Sequence, residues 1–240
     1  MKETLSLLMK KRGTAAILFL IVTTVLGIFL ANLSPDEKSA AMTGAKRPVL
    51  VIDAGHGGID GGAIGADGSK ESDINLAIAL RLEAVCNFYG LESVMTRVDD
   101  SRANDALTYS EHAELVHRTE IANSVENAVL MSIHQNYYPT AQPSGPQVLY
   151  SNNDNSRRFG QLTHNNLINK LDPENRRLAE PDKTNLYLLK NANCPAILVE
   201  CGFVSNHSDI TKLSSTRYQT ALSAVLMASF IQYTNDMSYL

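Results

Sequence analysis

The chain has 240 residues, of which 44% are hydrophobic, 19% charged and 6% aromatic, with 14 Gly, 8 Pro and no Trp. That composition excludes a disordered polyampholyte, a collagen-like repeat and a coiled coil, and 3 Cys are too few for a disulfide scaffold. The net charge is −4, but Met1 to Leu33 carries Lys2, Lys10, Lys11 and Arg12 against Glu3, so the remainder holds 17 basic and 24 acidic residues. An acidic body excludes nucleic acid as the main partner, because phosphate binding needs a basic face.

In chain order, the first element is residues 14–33, TAAILFLIVTTVLGIFLANL, which contain no charge. A helix of about 20 residues spans roughly 30 Å, the thickness of a bilayer core. Twelve of these residues are Ile, Leu, Val or Phe, and together they favour insertion by roughly 4 to 7 kcal/mol. Lys10, Lys11 and Arg12 precede the segment and hold residues 1–13 on the cytoplasmic side. The expectation is a single-pass transmembrane signal-anchor in the cell membrane, with everything after Leu33 extracytoplasmic. A cleaved signal peptide is the competing reading and would make the body a secreted protein. Phe29, two residues before Ala31, fits a small-x-small cleavage site badly. Residues 34–47, SPDEKSAAMTGAKR, are small, polar and without periodicity, and read as a linker.

The body, residues 48–235, alternates strand and helix patterns, with 236–240 as a short tail. PVLVI (48–52) is an all-apolar run, the signature of a strand buried on both faces. It leads into the glycine-rich loop Asp53-Ala54-Gly55-His56-Gly57-Gly58. Apolar residues at helical spacing predict a helix over 74–89, capped by Ser72 or Asp73 and ended by Gly90. Residues 91–96 read as a strand and 108–125 as an amphipathic helix with Leu115, Val116, Ile121 and Ala122 on its apolar side. AVLMSI (128–133) reads as a buried strand ending at His134, 137–146 as an irregular substrate-side loop, 147–150 as a strand and 156–171 as a helix. AILV (196–199) is a buried strand ending at Glu200, and 216–233 is a long final helix. Strands separated by helices imply an α/β fold, a mostly parallel sheet covered by helices on both faces, with ligands beyond the carboxyl ends of its strands.

Four metal- or proton-competent side chains then fall on one sheet edge: His56 beyond the first strand, Glu71 in the loop before the first helix, His134 and Glu200 at strand ends. Two imidazoles and a carboxylate make a three-ligand Zn²⁺ site with an open position for water, and a second carboxylate is free to act as general base. A phosphate cradle is the bland alternative for DAGHGG, but the segment lacks GxGxxG spacing and a Walker lysine, and Asp60 and Asp67 would repel phosphate. His112, His117, His164 and His207 read as ordinary surface or satisfied histidines. Cys201 is a rival nucleophile, but in extended backbone it points away from Glu200, so Cys86, Cys194 and Cys201 read as small buried residues.

The segments VIDAGHGGIDGGAIG, KESDINLAIAL, LVHRTEIAN, SIHQN and LYLLKNANCPAILVECGFVSN resemble the zinc-dependent N-acetylmuramoyl-L-alanine amidases, in order and over nearly the whole body. The resemblance implies a twisted six-stranded sheet with flanking helices in a single three-layer domain. It implies hydrolysis of the amide between N-acetylmuramic acid and L-alanine of the peptidoglycan stem peptide. It further implies His56, Glu71 and His134 as zinc ligands and Glu200 as the catalytic glutamate. An anchor, a bare catalytic domain and no wall-binding repeats resemble the branch acting in the spore cortex, where muramic-δ-lactam formation needs a partner deacetylase; whether an activator protein is also needed stays open. Zinc deacetylase or carboxypeptidase activity on the same polymer, or a non-catalytic wall-binding role, are the rival functions.

Overall fold

The computed structural model describes residues 47–65, 67–103, 110–140 and 143–237. The expected anchor and most of the linker therefore lie outside the described residues, and no described helix is long and apolar enough to cross a membrane. Pro48–Leu240 forms one compact unit.

Six strands, β1 (Val49–Ala54), β2 (Ser93–Met95), β3 (Ala128–Asn136), β4 (Gln147–Tyr150), β5 (Glu180–Pro181) and β6 (Ala196–Phe203), form one sheet in the order β2-β1-β3-β6-β4-β5. The helices are α1 (Glu71–Phe88), α2 (Glu111–Ser124), α3 (Asp154–Leu171), α4 (Tyr187–Asn191), α5 (His207–Leu213) and α6 (Thr216–Met237). Strands β2, β1, β3 and β6 are mutually parallel, and β4 meets β6 antiparallel. The chain leaves β1 through α1 for the β2 side of the sheet and returns through α2 to the other side as β3. The crevice beyond β1 and β3 is thus a topological switch point, where open α/β sheets take their ligands.

The all-apolar runs explain why these strands lie in the middle. Leu50, Ile52, Met131, Ile133, Ile197 and Val199 point to one face and meet Ile78 and Leu82 of α1 and Phe230 of α6 in the main core. Val51, Leu130 and Leu198 point to the other face and meet Ala122 of α2 and Leu188 and Leu189 of α4. A strand buried on both faces has no polar positions to spare, and its alternation disappears.

Several boundaries differ from the sequence reading for identifiable reasons. Helix α1 begins at Glu71, three residues early, so Glu71 is its first residue and not part of the preceding loop. Neither Ser72 nor Asp73 caps it. The Glu71 and Ser72 N–H groups donate to the carbonyls of Ala63 and Gly61 at 2.9 and 3.1 Å, so the folded-back glycine loop satisfies the orphan donors that a Ser or Asp cap would otherwise take. Strands β3 and β6 run on past His134 and Glu200, because each continues the other's ladder and Asn136 accepts from Val204 N at 2.9 Å. Helix α2 buries Glu114, Arg118, Thr119 and Ala122, with Leu115 and Val116 only half-buried. Its inward face is largely charged because Arg118 has a buried partner on β1. SNHSD reads as a helix N-cap region and does open α5; β5 and α4 carry no such signal, and α4 has 5 residues, too few for periodicity to register.

Candidate active site

Strands β1, β3 and β6 are neighbours, so the residues at their carboxyl ends share one edge. His134 stands in register with Glu200. In-register residues of adjacent strands point to the same face, roughly 5 Å apart at the backbone. Immediately beyond this pair the β3–β6 register slips: three residues of β3, His134 to Asn136, span four of β6, Glu200 to Phe203. Such a bulge bends the strand and re-aims the side chains beside it.

His56 follows β1 by two residues with φ +60°. This left-handed conformation costs a non-glycine residue about 1–3 kcal/mol and needs surroundings that enforce it. Two buried arginines enforce it here. Arg118 donates to Asp53 Oδ1 (2.8 Å), the Ala54 carbonyl (2.7 Å) and the His56 carbonyl (2.7 Å). Arg97 donates to the carbonyls of Ala54 (2.9 Å), Gly55 (3.1 Å) and Ser72 (2.8 Å). The strand end, the loop and the start of α1 are thereby tied to one another.

The three expected metal ligands come together. Ligand atoms of His56, Glu71 and His134 all lie within 4.8 Å of one another. Glu71 Oε1 is 3.3 Å from His56 Nε2 and 3.0 Å from His134 Nδ1. Glu71 itself is fixed by backbone donors, Gln135 N to Oε1 and Ala63 N to Oε2, both at 3.0 Å. Asn75, one turn further along α1, donates to the Gly55 carbonyl at 3.1 Å and accepts from Gln135 Nε2 at 3.1 Å. His56 Nδ1 donates to Asp60 Oδ2 at 2.7 Å, which fixes the ring and leaves Nε2 with its lone pair toward the cluster. A carboxylate behind a ligating imidazole is the usual outer support of a metal site. Two nitrogens and one carboxylate oxygen with an open side toward a cavity match a catalytic Zn²⁺ donor set, so the residues present fit that metal.

The electrostatics of the cluster favour a cation. Burial alone would lower the His56 pKa, but the Glu71 and Asp60 carboxylates raise it to about 9. Burial would raise Glu71, yet the two imidazoles hold it far below the usual carboxylate range. The cluster demands a cation, and a proton on His56 or a metal ion meets that demand. Glu200 is pushed up to about 7, mainly by burial and also by the Glu71 charge, with His134 and Arg177 acting the other way. Its Oε2 is buried with no hydrogen-bond partner among the described residues, which leaves it open to a group that is not part of the chain. A nearby divalent cation would favour its ionised form.

Cys201 lies in the main core on the opposite face from Glu200 and is buried. Burial holds its thiol far above the ordinary range, so it cannot supply a thiolate. His112 packs edge-to-face on Tyr187, His117 lies 3.9 Å from Glu120, and His164 bonds the Arg177 carbonyl; none joins the cluster. Sequence reasoning missed Asp60, Asn75, Gly55, Asp53, Arg97 and Arg118 as parts of the site. Two of them carried a signal: Asn75 stands one helical turn after Glu71, and Asp53 ends an apolar run where a charge requires a partner.

Residues 50–231 match the family model described as N-acetylmuramoyl-L-alanine amidase. The chain is 29% identical over 199 residues to the germination-specific N-acetylmuramoyl-L-alanine amidase of Bacillus subtilis (strain 168), covering 78% of this chain and 80% of that protein. It is 31% identical to the N-acetylmuramoyl-L-alanine amidase LytC of the same organism, over 83% of this chain and 39% of LytC. Among solved structures, the CwlD amidase from Clostridioides difficile, in complex with the GerS lipoprotein, superimposes with a TM-score of 0.72. Its identity is 31%, and the match covers 79% of this chain and all of that one. The amidase AmiC2 of Nostoc punctiforme gives 0.69 at 28% identity, over 80% and 99% of the two chains.

Proposed function

The chain belongs to the N-acetylmuramoyl-L-alanine amidase family and hydrolyses the amide joining N-acetylmuramic acid to L-alanine of the stem peptide; from that premise we propose that it is a zinc enzyme with Glu200 as its general base. The observation that carries this reading is the convergence of His56, Glu71 and His134, with Glu200 in register beside His134 and one of its oxygens without a partner among the described residues.

In this reading His56 Nε2, Glu71 Oε1 and His134 Nδ1 hold the ion, and Asp60 keeps the His56 ring turned toward it. When bound, Zn²⁺ supplies Lewis acidity to the scissile carbonyl and to water. Glu200 takes the proton of the attacking water and passes it to the departing alanine nitrogen. An amine is a poor leaving group as its anion, so that second transfer matters as much as the first. Arg97 and Arg118 act indirectly, by holding the strained His56 backbone.

Mass spectrometry of peptidoglycan digested with purified residues 34–240 tests the reaction: free L-alanine amino termini are expected, whereas released acetate or D-alanine would assign the deacetylase or carboxypeptidase reading instead. Elemental analysis tests the metal, with about one zinc per chain expected. Full zinc in the His56→Ala/His134→Ala double variant would overturn the ligand assignment.

The biological setting we propose is the spore cortex, with the catalytic unit outside the cell membrane on the anchor at residues 14–33. The similarity to a germination-specific amidase supports it. A partner deacetylase would complete muramic-δ-lactam formation. The related amidase solved together with a lipoprotein supports an activator protein as a further partner; zinc content measured with and without such a partner tests that role.

A further inference from the structure

The cavity beyond the metal cluster extends along α2 and α4, with a volume of about 290 Å³. Its walls on that side are aliphatic, from Leu115, Leu186, Leu188 and Leu198, while Glu111 and Glu114 line it from α2. Among the described lining residues, five carboxylates (Asp53, Asp60, Glu111, Glu114, Glu200) stand against one guanidinium, Arg118. Arg118 is already committed to Asp53 and to the Ala54 and His56 carbonyls. Glu114 is only 7% exposed. Its Oε2 accepts from Ala103 N at 2.9 Å and lies 4.0 Å from Arg118, but its Oε1 is buried with no partner among the described residues. A buried carboxylate oxygen without a donor is costly and awaits one.

The position along α2 says how far from the chemistry that donor sits. Arg118 Nη2 lies 2.7 Å from the His56 carbonyl and 4.0 Å from Glu114 Oε2, and the backbone of Glu111 is one turn further toward the amino end of α2, roughly 5 Å at 1.5 Å per residue. An extended peptide advances roughly 3.3 Å per residue, so two to three residues of substrate cover the distance. Resting on the amidase reading above, we propose that this arm of the cavity is a specificity subsite for the free ω-amino group of a diamino acid in the stem peptide. The leucines take the methylene chain, and Glu114, assisted by Glu111, takes the ammonium. A neutral amide N–H would satisfy Glu114 Oε1, but with Glu111 beside it and Arg118 committed to Asp53 this arm stays negative even when a divalent ion sits on His56, Glu71 and His134, so a cation is the better match.

The test compares two soluble muropeptides, one with the ω-amine free and one with it N-acetylated, using the full zinc-loaded chain. Wild type should hydrolyse the free-amine substrate with a kcat/KM about 10- to 100-fold higher, the effect of one charge-assisted hydrogen bond. Glu114→Gln should bring that ratio close to one, and Glu111→Gln should reduce it less and in a salt-dependent way. A ratio near one in wild type, or a ratio unchanged in Glu114→Gln, overturns the subsite. If Glu114→Gln fails to fold, the wild-type ratio and its salt-dependent reduction in Glu111→Gln still decide. Hydrolysis of both substrates without discrimination counts against this inference alone, whereas cleavage of neither counts against the amidase reading itself.

Discussion

Gly55 and His134 face each other across neighbouring strands so closely that a Cβ on Gly55 would come within 2.7 Å of the His134 Cδ2, and closer still to Nε2 and Cε1. A side chain at Gly55 has no room because the His134 ring occupies that space. Its φ lies outside the left-handed region, so the requirement is one of room and not of backbone conformation.

Gly55→Ala should consequently displace His134. Because Glu71 Oε1 and His134 Nδ1 are only 3.0 Å apart, a shift of that ring should sharply lower zinc affinity and activity together. The overpacking should cost about 1–3 kcal/mol of stability. Zinc titration alongside urea unfolding checks it; a folded variant with wild-type zinc affinity would contradict the steric argument.

Glu200→Gln keeps the size of the side chain but removes its ability to accept the water proton. Zinc content and fold should survive while hydrolysis falls by about 10²–10⁴-fold. Cys201→Ser, on the far face of β6, should leave substantial activity. An active Glu200→Gln beside a dead Cys201→Ser would instead demand a cysteine hydrolase.

Asp53 makes stability depend on acid pH. Burial would raise its pKa, but the Arg118 guanidinium and the Ser132 and Thr96 hydroxyls hold it at about 2, below the ordinary 3.8. A depressed folded-state pKa contributes stability that is present above the unfolded value and lost as pH falls through the folded one. That contribution should persist at pH 5 and disappear between about pH 4 and 2. In Arg118→Met the carboxylate loses its partner, with a loss of about 3–5 kcal/mol at neutral pH. Denaturant unfolding of both proteins at pH 7, 5 and 2 measures this, and an equal loss for Arg118→Met at pH 7 and pH 2 would refute the pairing.

The proposed membrane anchor at residues 14–33 makes a separate prediction. The mature protein should retain its amino terminus and fractionate with membranes. Amino-terminal sequencing that finds a start between Ala31 and Met42 would establish a cleaved signal and a soluble enzyme.

The sequence by itself determined the succession of strands and helices, because buried parallel strands are written as unbroken apolar runs such as VLVI, AVLM and AILV and helices by their 3.6-residue period. It also pointed to a chemistry, since His134 and Glu200 stand at strand ends, His56 just beyond one and Glu71 beside the start of the first helix, where such side chains can bind metal or move protons. Only the tertiary structure decided that β1, β3 and β6 are neighbours, which is what turns those scattered residues into one cluster. Strand order depends on the direction of each crossover and on pairing between distant segments, neither of which leaves a local pattern. The same holds for the charged inner face of α2: Arg118 is buried because Asp53 awaits it 65 residues away in sequence, and amphipathic spacing cannot anticipate a polar partner. Gly55, Asp60 and the bulge after Glu200 belong to this second class as well. Each is required by an atom that arrives from another strand or loop, and the requirement exists only once the chain has folded.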